Sequence, residues 1–410
     1  MKWLSLAWRN VLRNKRRTLL SCMVFAAGTV AILSGIGFVA ASFHGLREAT
    51  IAGQLGHIQL GAQGQFDGFE KSQMATGLSP QQVQAAYAAL EHMKEVRFSM
   101  KRVMFEGLIS VGDRTLAVVG SGVEPERETR LAGTFAAIVE GDSLPTPVEA
   151  DQARVIIAVD LARSLGVRPG DRVTVLTTTE KGALNGVDLT VAGIYRTGIP
   201  ELDRRAVMMP LDTAQSLLDT QRVSRVVTVL KDTADTDAVA QALRASPALK
   251  DLEVRRWNEL APFYQQVVSL YTNIFGVLGV ILIIVVLLSV SNAMLMSLLE
   301  RVREQGTLRA FGIPAFRIHQ NFLMEGGLVG SFGAGIGLLV AAAVSLAVNF
   351  SGFQMPAPPG RSTGHPLLIF IETDAYLLTL AGMIVVGILA AGLSLLSVRR
   401  LSILDQLHHH

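Results

Sequence analysis

Cysteine is almost absent: the 410 residues hold one, Cys22, inside an apolar run. No disulfide within the chain can form, so any domain must be held together by its own core. Charge is also scarce. Asp, Glu, Lys and Arg make up 17% of the residues, where a soluble globular protein carries about a quarter. No G-x-x-x-x-G-K-[ST] loop is present, so the chain does not cradle ATP phosphates in the usual way. There is no H-E-x-x-H pair, no G-x-S-x-G elbow and no paired-cysteine motif. His44, His57 and His92 are scattered without metal-ligand spacing and read as surface or core histidines. No catalytic, cofactor-binding or metal-ligating residue is therefore assigned, and the chain is not expected to be an enzyme.

What the sequence does have is apolar residues in long runs. Half of it is hydrophobic and the mean hydropathy is +0.39. A helix needs about 20 apolar residues to cross the hydrocarbon core of a bilayer. Residues 18–43 and 274–299 are 26 residues each without a charge, 326–348 is 23 and 375–398 is 24. Backbone groups cannot be left unpaired in lipid, so each run is expected to be helical. The first is too long for a signal-peptide core, and no clear small-residue cleavage site follows it. The reading is therefore a retained first span, a second over 271–299, and a third and fourth over 326–348 and 375–398.

Charge sets the orientation. Lys2, Arg9, Arg13, Lys15, Arg16 and Arg17 precede the first span, Arg301, Arg303, Arg309 and Arg317 lie between the second and third, and Arg399 and Arg400 follow the fourth. The connection between the third and fourth spans holds only Arg361. Both termini and segment 300–325 are thus expected in the cytoplasm, and 44–270 and 349–374 outside it. Residues 44–270 carry 24 Lys/Arg against 28 Asp/Glu. The basic excess therefore lies at the anchors, which gives no sign of nucleic-acid binding. His408, His409 and His410 read as the start of a purification tag.

Residues 44–270 read as a mixed α/β domain. Ser79 caps a helix opened by Pro80, and short β-rich runs follow at 107–111, 116–119, 155–159, 173–178 and 189–194. Pro169-Gly170 punctuates a turn, and Pro210 leads a strand into a helix near 212–219. The simplest division is a discontinuous subdomain, about 44–105 and 205–257, with a β-rich insertion over about 106–204.

Two cytoplasmic segments stand out. In residues 1–17, Trp3, Leu4, Ala7, Trp8, Val11 and Leu12 share one helical face, with Arg9, Arg13 and Arg16 away from it. That pattern describes an interfacial amphipathic helix against anionic lipid, and Trp3, Trp8, Arg9, Arg13, Arg16 and Arg17 form its anchor. A plain positive-inside anchor fits the same residues. The second segment is Glu300-Arg-Val-Arg-Glu-Gln-Gly-Thr-Leu-Arg-Ala-Phe-Gly312. It reads as a short charged helix ended at Gly312, with Glu300/Arg303 and Gln305/Arg309 placed to pair. Either a docking helix or a solvated loop satisfies this composition.

The 300–312 segment resembles the signature that follows the second span in permeases of the MacB/FtsX/LolC–LolE superfamily, the type VII ABC transporters. Trp8-Arg-Asn-Val-Leu-Arg-Asn-Lys-Arg-Arg-Thr-Leu-Leu20 and Asn321-Phe-Leu-Met-Glu-Gly326 resemble two further signatures of that superfamily. The order of spans and the large external insertion match too. Within it, 155–171 and Phe43-His-Gly-Leu-Arg-Glu48 resemble the lipoprotein-releasing LolC/LolE type.

The resemblance implies a fold of four transmembrane helices plus a mixed α/β extracytoplasmic domain, a MacB-like periplasmic core, inserted between the first two. It implies a separate ATPase subunit in two copies that binds the ATP and magnesium, a second permease chain, equal or related, and a periplasmic carrier or adaptor. Glu300, Arg301, Arg303, Glu304, Gln305, Arg309 and Gly312 would then couple to the ATPase. Val30, Leu33, Phe38, Ile281 and Val285 would line a path for lipid-anchored cargo, although ordinary lipid-facing positions would look the same. One departure is clear: residues 178–188, where LolC carries a proline-containing hook, hold no proline. The function implied is ATP-driven extraction of lipid-anchored cargo. A MacB-like efflux component and an FtsX-like signalling scaffold that controls a cell-wall hydrolase stand beside it, as does a receptor without an ATPase.

Two features of the third span complete the reading. Gly326, Gly330, Gly333 and Gly337 form small-xxx-small pairs for close packing within the bundle. Glu325, at the inner end, reads as a structural ion-pair partner of the coupling segment, because an ionisable group there is costly unless paired.

Overall fold

The computed structural model describes residues 15–66, 77–132, 137–144, 153–356 and 364–398. The helices in chain order are α1 (Lys15–Thr50), α2 (Pro80–Glu91), α3 (Pro125–Ala132), α4 (Val159–Leu165), α5 (Pro200–Asp203), α6 (Leu211–Leu218), α7 (Thr236–Ala245), α8 (Pro262–Glu300), α9 (Val302–Ala310), α10 (Ala315–Ser351) and α11 (Thr373–Val398). The strands of the large sheet are β1 (Ile58–Ala62), β2 (Val96–Val111), β3 (Arg114–Val123), β4 (Ala137–Gly141), β5 (Arg154–Ala158), β6 (Arg172–Thr178), β7 (Leu184–Arg196), β8 (Ala206–Pro210), β9 (Arg225–Leu230) and β10 (Leu252–Arg256). The chain divides into two compact units, one made of the long helices and one running essentially from Gly45 to Gln266.

The helical unit contains the four helices that are long and apolar enough to cross a membrane. Helix α1 has 36 residues and α8 has 39. At 1.5 Å per residue these are about 54 and 58 Å long, well beyond the roughly 30 Å of a hydrocarbon core. The apolar runs seen in the sequence are thus the middles of longer helices.

The core of this unit joins Cys22 and Phe25 of α1, Val286, Val290 and Met294 of α8, Val329 of α10 and Met383 of α11. The glycine stripe of α10 works in two directions. A Cβ at Gly326 would come within 2.4 Å of the Gly387 carbonyl oxygen, and one at Gly330 within 2.8 Å of the Met383 carbonyl, both on α11. A Cβ at Gly333 would meet Phe25, and one at Gly337 would meet Thr29, both on α1. Lipid offers no hydrophobic drive between helices, so close backbone approach supplies the packing.

The second unit is built on one mixed sheet in the order β10-β1-β9-β2-β3-β8-β5-β7-β4, with β6 paired to β2 and β7. One face is buried by Ile58, Leu60, Val103, Phe105, Val226 and their neighbours under α2, α6 and α7. Burial of such side chains is the main favourable term in this water-exposed part. A smaller cluster of Met100, Val227, Val229 and Leu131 lies apart from it, Leu131 coming from α3.

Helix α2 starts as its sequence dictates. Ser79 Oγ accepts from the Gln82 backbone N–H and Gln82 Oε1 accepts from the Ser79 N–H, a complete capping box ahead of Pro80.

Strand β2 differs from the sequence expectation of a short strand at 107–111. It runs 16 residues, pairing with β9 through Val96–Arg102 and with β3 through Arg102–Val111. Gly107 allows this, because a Cβ there would lie 2.4 Å from the Leu176 carbonyl oxygen of β6. A division of the domain at 105/106 falls inside this strand. Strand β4 and helices α3 and α5 carry no apolar pattern that the sequence reading picked up.

Candidate functional site

The ends of the long helices near residues 15–17 and 300–325 gather charge. Helix α8 ends at Glu300, and α9 starts at Val302. Arg301 between them has φ −104° and ψ 8°, and its N–H donates to the Leu298 carbonyl at 3.1 Å. The break separates Glu300 from Arg303, so the expected pairing along one helix does not form. Glu300 instead accepts from the Arg17 guanidinium of α1.

Arg301 turns inward. Its Nη1 donates to both carboxylate oxygens of Glu325 on α10, at 3.2 and 3.3 Å, and both side chains are only 8% exposed. The ion pair expected for Glu325 is therefore present and buried.

Helix α9 is two-sided. Val302 and Gly306 are buried, and Gln305 and Arg309 are half-buried. Arg303, Glu304, Thr307 and Leu308 are exposed, followed by Phe311 at 81% exposure. Gly312 then adopts φ +85°, a left-handed conformation that suits glycine and ends the helix. Its N–H donates to the Arg309 carbonyl at 3.0 Å, and the Ile313 N–H to that of Leu308 at 3.2 Å. Pro314 opens α10, beyond which Phe316 is again exposed, at 68%. Charged and aromatic side chains thus share one solvent-facing hairpin, a combination suited to a protein partner.

The other expected residues fall as follows. Trp3, Trp8, Arg9 and Arg13 lie outside the described residues; Arg16 is exposed and Arg17 half-buried. On α1, Val30 is half-buried, Leu33 is buried, and Phe38 is half-buried with its ring centroid 5.9 Å from that of Phe275. Ile281 and Val285 are exposed on α8, the least buried of the four long helices. An open groove beside Ile281 is lined by Thr272, Asn273, Gly276, Val277 and Val280.

The outer unit offers binding chemistry of a structural kind. His57 is buried: its Nδ1 accepts from the Leu230 N–H at 3.3 Å, and its Nε2 lies 3.1 Å from Thr233 Oγ1. Burial, with Arg47 adding to it against Glu48 and Asp232, holds its pKa below the usual imidazole value. Arg102 donates to both oxygens of Glu128. Burial and then the Arg102 charge bring Arg225 down to about 10. Among the described residues no group of three or more His, Cys, Asp or Glu could hold a metal ion. The 178–188 region is a plain hairpin tip between β6 and β7, turning at Gly182 with φ +84° and exposing Leu184.

The comparisons with known proteins fit this arrangement. Residues 18–246 match the MacB-like periplasmic core domain, and 276–403 match the FtsX-like permease C-terminal model. The chain belongs to the MacB/FtsX family of ABC permeases. As such a permease it is a membrane protein of the bacterial inner membrane.

Relatives of this permease include the lipoprotein-releasing system transmembrane protein LolC of Neisseria meningitidis, 25% identical over 61% of this chain and 61% of that one. The macrolide export ATP-binding/permease protein MacB of an Azoarcus species is 32% identical over 34% of this chain and 23% of that one. The chain thus spans about three-fifths of the LolC relative's length, and less of MacB. Among solved structures, the periplasmic region of MacB from Actinobacillus actinomycetemcomitans covers 52% of this chain and 95% of that one at 14% identity, with a TM-score of 0.36.

The sequence missed the Arg17–Glu300 pair. No glycine or proline marks the break at Arg301, so nothing local shows that Glu300 turns toward α1.

Proposed function

We propose that this permease extracts lipid-anchored cargo, lipoprotein being the reading its LolC relatives favour, from the outer leaflet of the inner membrane. The energy comes from a separate ATPase present in two copies, which binds the ATP and magnesium. The observation that carries the proposal is α9. It is a short helix held at one end by a buried ion pair, and it offers Arg303, Glu304, Leu308 and Phe311 to solvent. Glu300, Arg301, Gln305, Arg309 and Gly312 shape and orient that surface. Charge asymmetry supports both termini and α9 lying in the cytoplasm.

Moving an acyl chain from lipid into water costs about 0.8 kcal/mol per CH₂. Multi-chain cargo therefore needs an enclosed apolar route as well as ATP. Val30, Leu33, Phe38, Ile281 and Val285 are the residues offered for that route. The exposed face of α8, with its groove at Gly276, supports a second permease chain beside it. A periplasmic carrier or adaptor would complete the system.

The test is co-purification from membranes with candidate ATPases, followed by cargo trapping. Glu304→Lys with Arg309→Glu should abolish ATPase association. With a hydrolysis-dead ATPase, triacylated lipoprotein should be retained on the complex. Association that survives the double substitution would refute docking through α9. Capture of an oligomeric periplasmic adaptor in place of lipoprotein would move the function to MacB-like efflux. Activation of a cell-wall hydrolase that fails when 44–270 is deleted would move it to FtsX-like signalling.

A further inference from the structure

The step Glu300–Arg301 is a one-residue break between two helices, and its two side chains are tied to different neighbours. Glu300 is held by Arg17 of α1, and Arg301 by Glu325 of α10. Leu298 and Val302, which flank the break, are both buried and pin it in place. The two ties are unequal. The Arg301–Glu325 side chains are 8% exposed on both sides, whereas those of Arg17 and Glu300 are 35% and 49% exposed. A half-exposed pair is screened by water and exchanges readily, whereas a buried pair leaves an uncompensated charge when it opens.

We infer that the Glu300–Arg301 step is a pivot held from two sides, and that Arg301 and Glu325 are positioning residues that make α9 and α10 move together while the tie from Glu300 to α1 is free to let go. This rests on the reading that α9 receives force from the ATPase, and it deepens that reading. The push enters the membrane through the third span first. At the break itself, α1 is joined by a contact that yields. The direction of the coupling follows from the difference in burial of two adjacent ion pairs.

Pairs of spin labels on the full-length chain, reconstituted in lipid without any ATPase, test the pivot directly. With Cys22→Ser as background, one label goes on Thr307→Cys of α9. The second goes on Gln320→Cys of α10 or Lys15→Cys of α1; all three positions are exposed. The parent should give a narrow distance distribution for 307–320 and a wider one for 307–15. Glu325→Gln should broaden the 307–320 distribution at least twofold. Arg17→Gln should broaden 307–15 and leave 307–320 narrow.

Because Glu325→Gln removes a buried partner and can cost folded protein, the exchange Arg301→Glu with Glu325→Arg is the control, and it should return 307–320 to its narrow form. The inference is overturned if Glu325→Gln leaves 307–320 unchanged, if the exchange does not restore it, or if Arg17→Gln loosens both pairs equally. Failure of the docking reading is separately visible. In that case Glu304→Lys leaves ATPase association intact while these distances behave as described.

Discussion

The two units solve the same packing problem with different means. In the outer unit, Ile157, Leu161, Val207 and Met209 are buried at full size against one another. In the helical unit one close approach involves no side chain at all, where Gly326 and Gly387 meet backbone to backbone. Water makes burial of a large apolar side chain favourable. Lipid does not distinguish such a side chain in a helix contact from one among acyl chains, so small residues and polar ties carry the specificity. The difference teaches that the same kind of substitution weighs differently in the two units.

The strongest way to break this comparison is to add volume where there is none. Gly326→Leu should prevent α10 and α11 from docking, at a cost above about 4 kcal/mol. The expected outcome is loss of folded protein on size-exclusion chromatography in detergent. Normal yield and melting temperature would show that the glycine contact is dispensable.

Deletion is the next test. Ile157→Ala, fully buried in the sheet, should cost about 2–5 kcal/mol. The matching Ile281→Ala on the exposed face of α8 should change thermal stability by under about 0.5 kcal/mol. Equal losses at the two sites, read by denaturant or heat unfolding of the same preparation, would erase the distinction.

Smaller effects sharpen it. Ser79→Ala removes one half of the capping box and should cost about 1 kcal/mol, visible as increased amide exchange at the start of α2.

Burial of His57 gives the second unit a pH dependence. Its folded pKa lies below the ordinary 6.5, so the unfolded chain binds the extra proton first. Its contribution is therefore complete above about pH 6.5 and declines as pH falls toward the lowered value. His57→Gln should flatten that part of the melting temperature-against-pH curve. A curve that falls equally steeply without the imidazole would place the acid sensitivity elsewhere.

Much of this was legible in the sequence because it is local. Uninterrupted apolar runs gave the four spans, and Ser79-Pro80 gave a helix start. Gly312 marked the end of α9, and Glu325 inside an apolar context required a cationic partner. What stayed hidden is set by distant backbone. Strand β2 looks broken at Gly107 until the Leu176 carbonyl that needs that glycine is placed beside it. The turn at Arg301 uses an ordinary residue, so the tie from Glu300 to Arg17, 283 positions away, leaves no trace in the pattern. The glycines of α10 announced close packing but not that two serve α11 and two serve α1.

The bare contact between Gly326 and Gly387 has a mechanical corollary. Where two rods touch backbone to backbone, that contact has no rotamers to rearrange when one is shoved. They cannot slip a turn past each other without opening a void. The last two spans should therefore travel as a single plank.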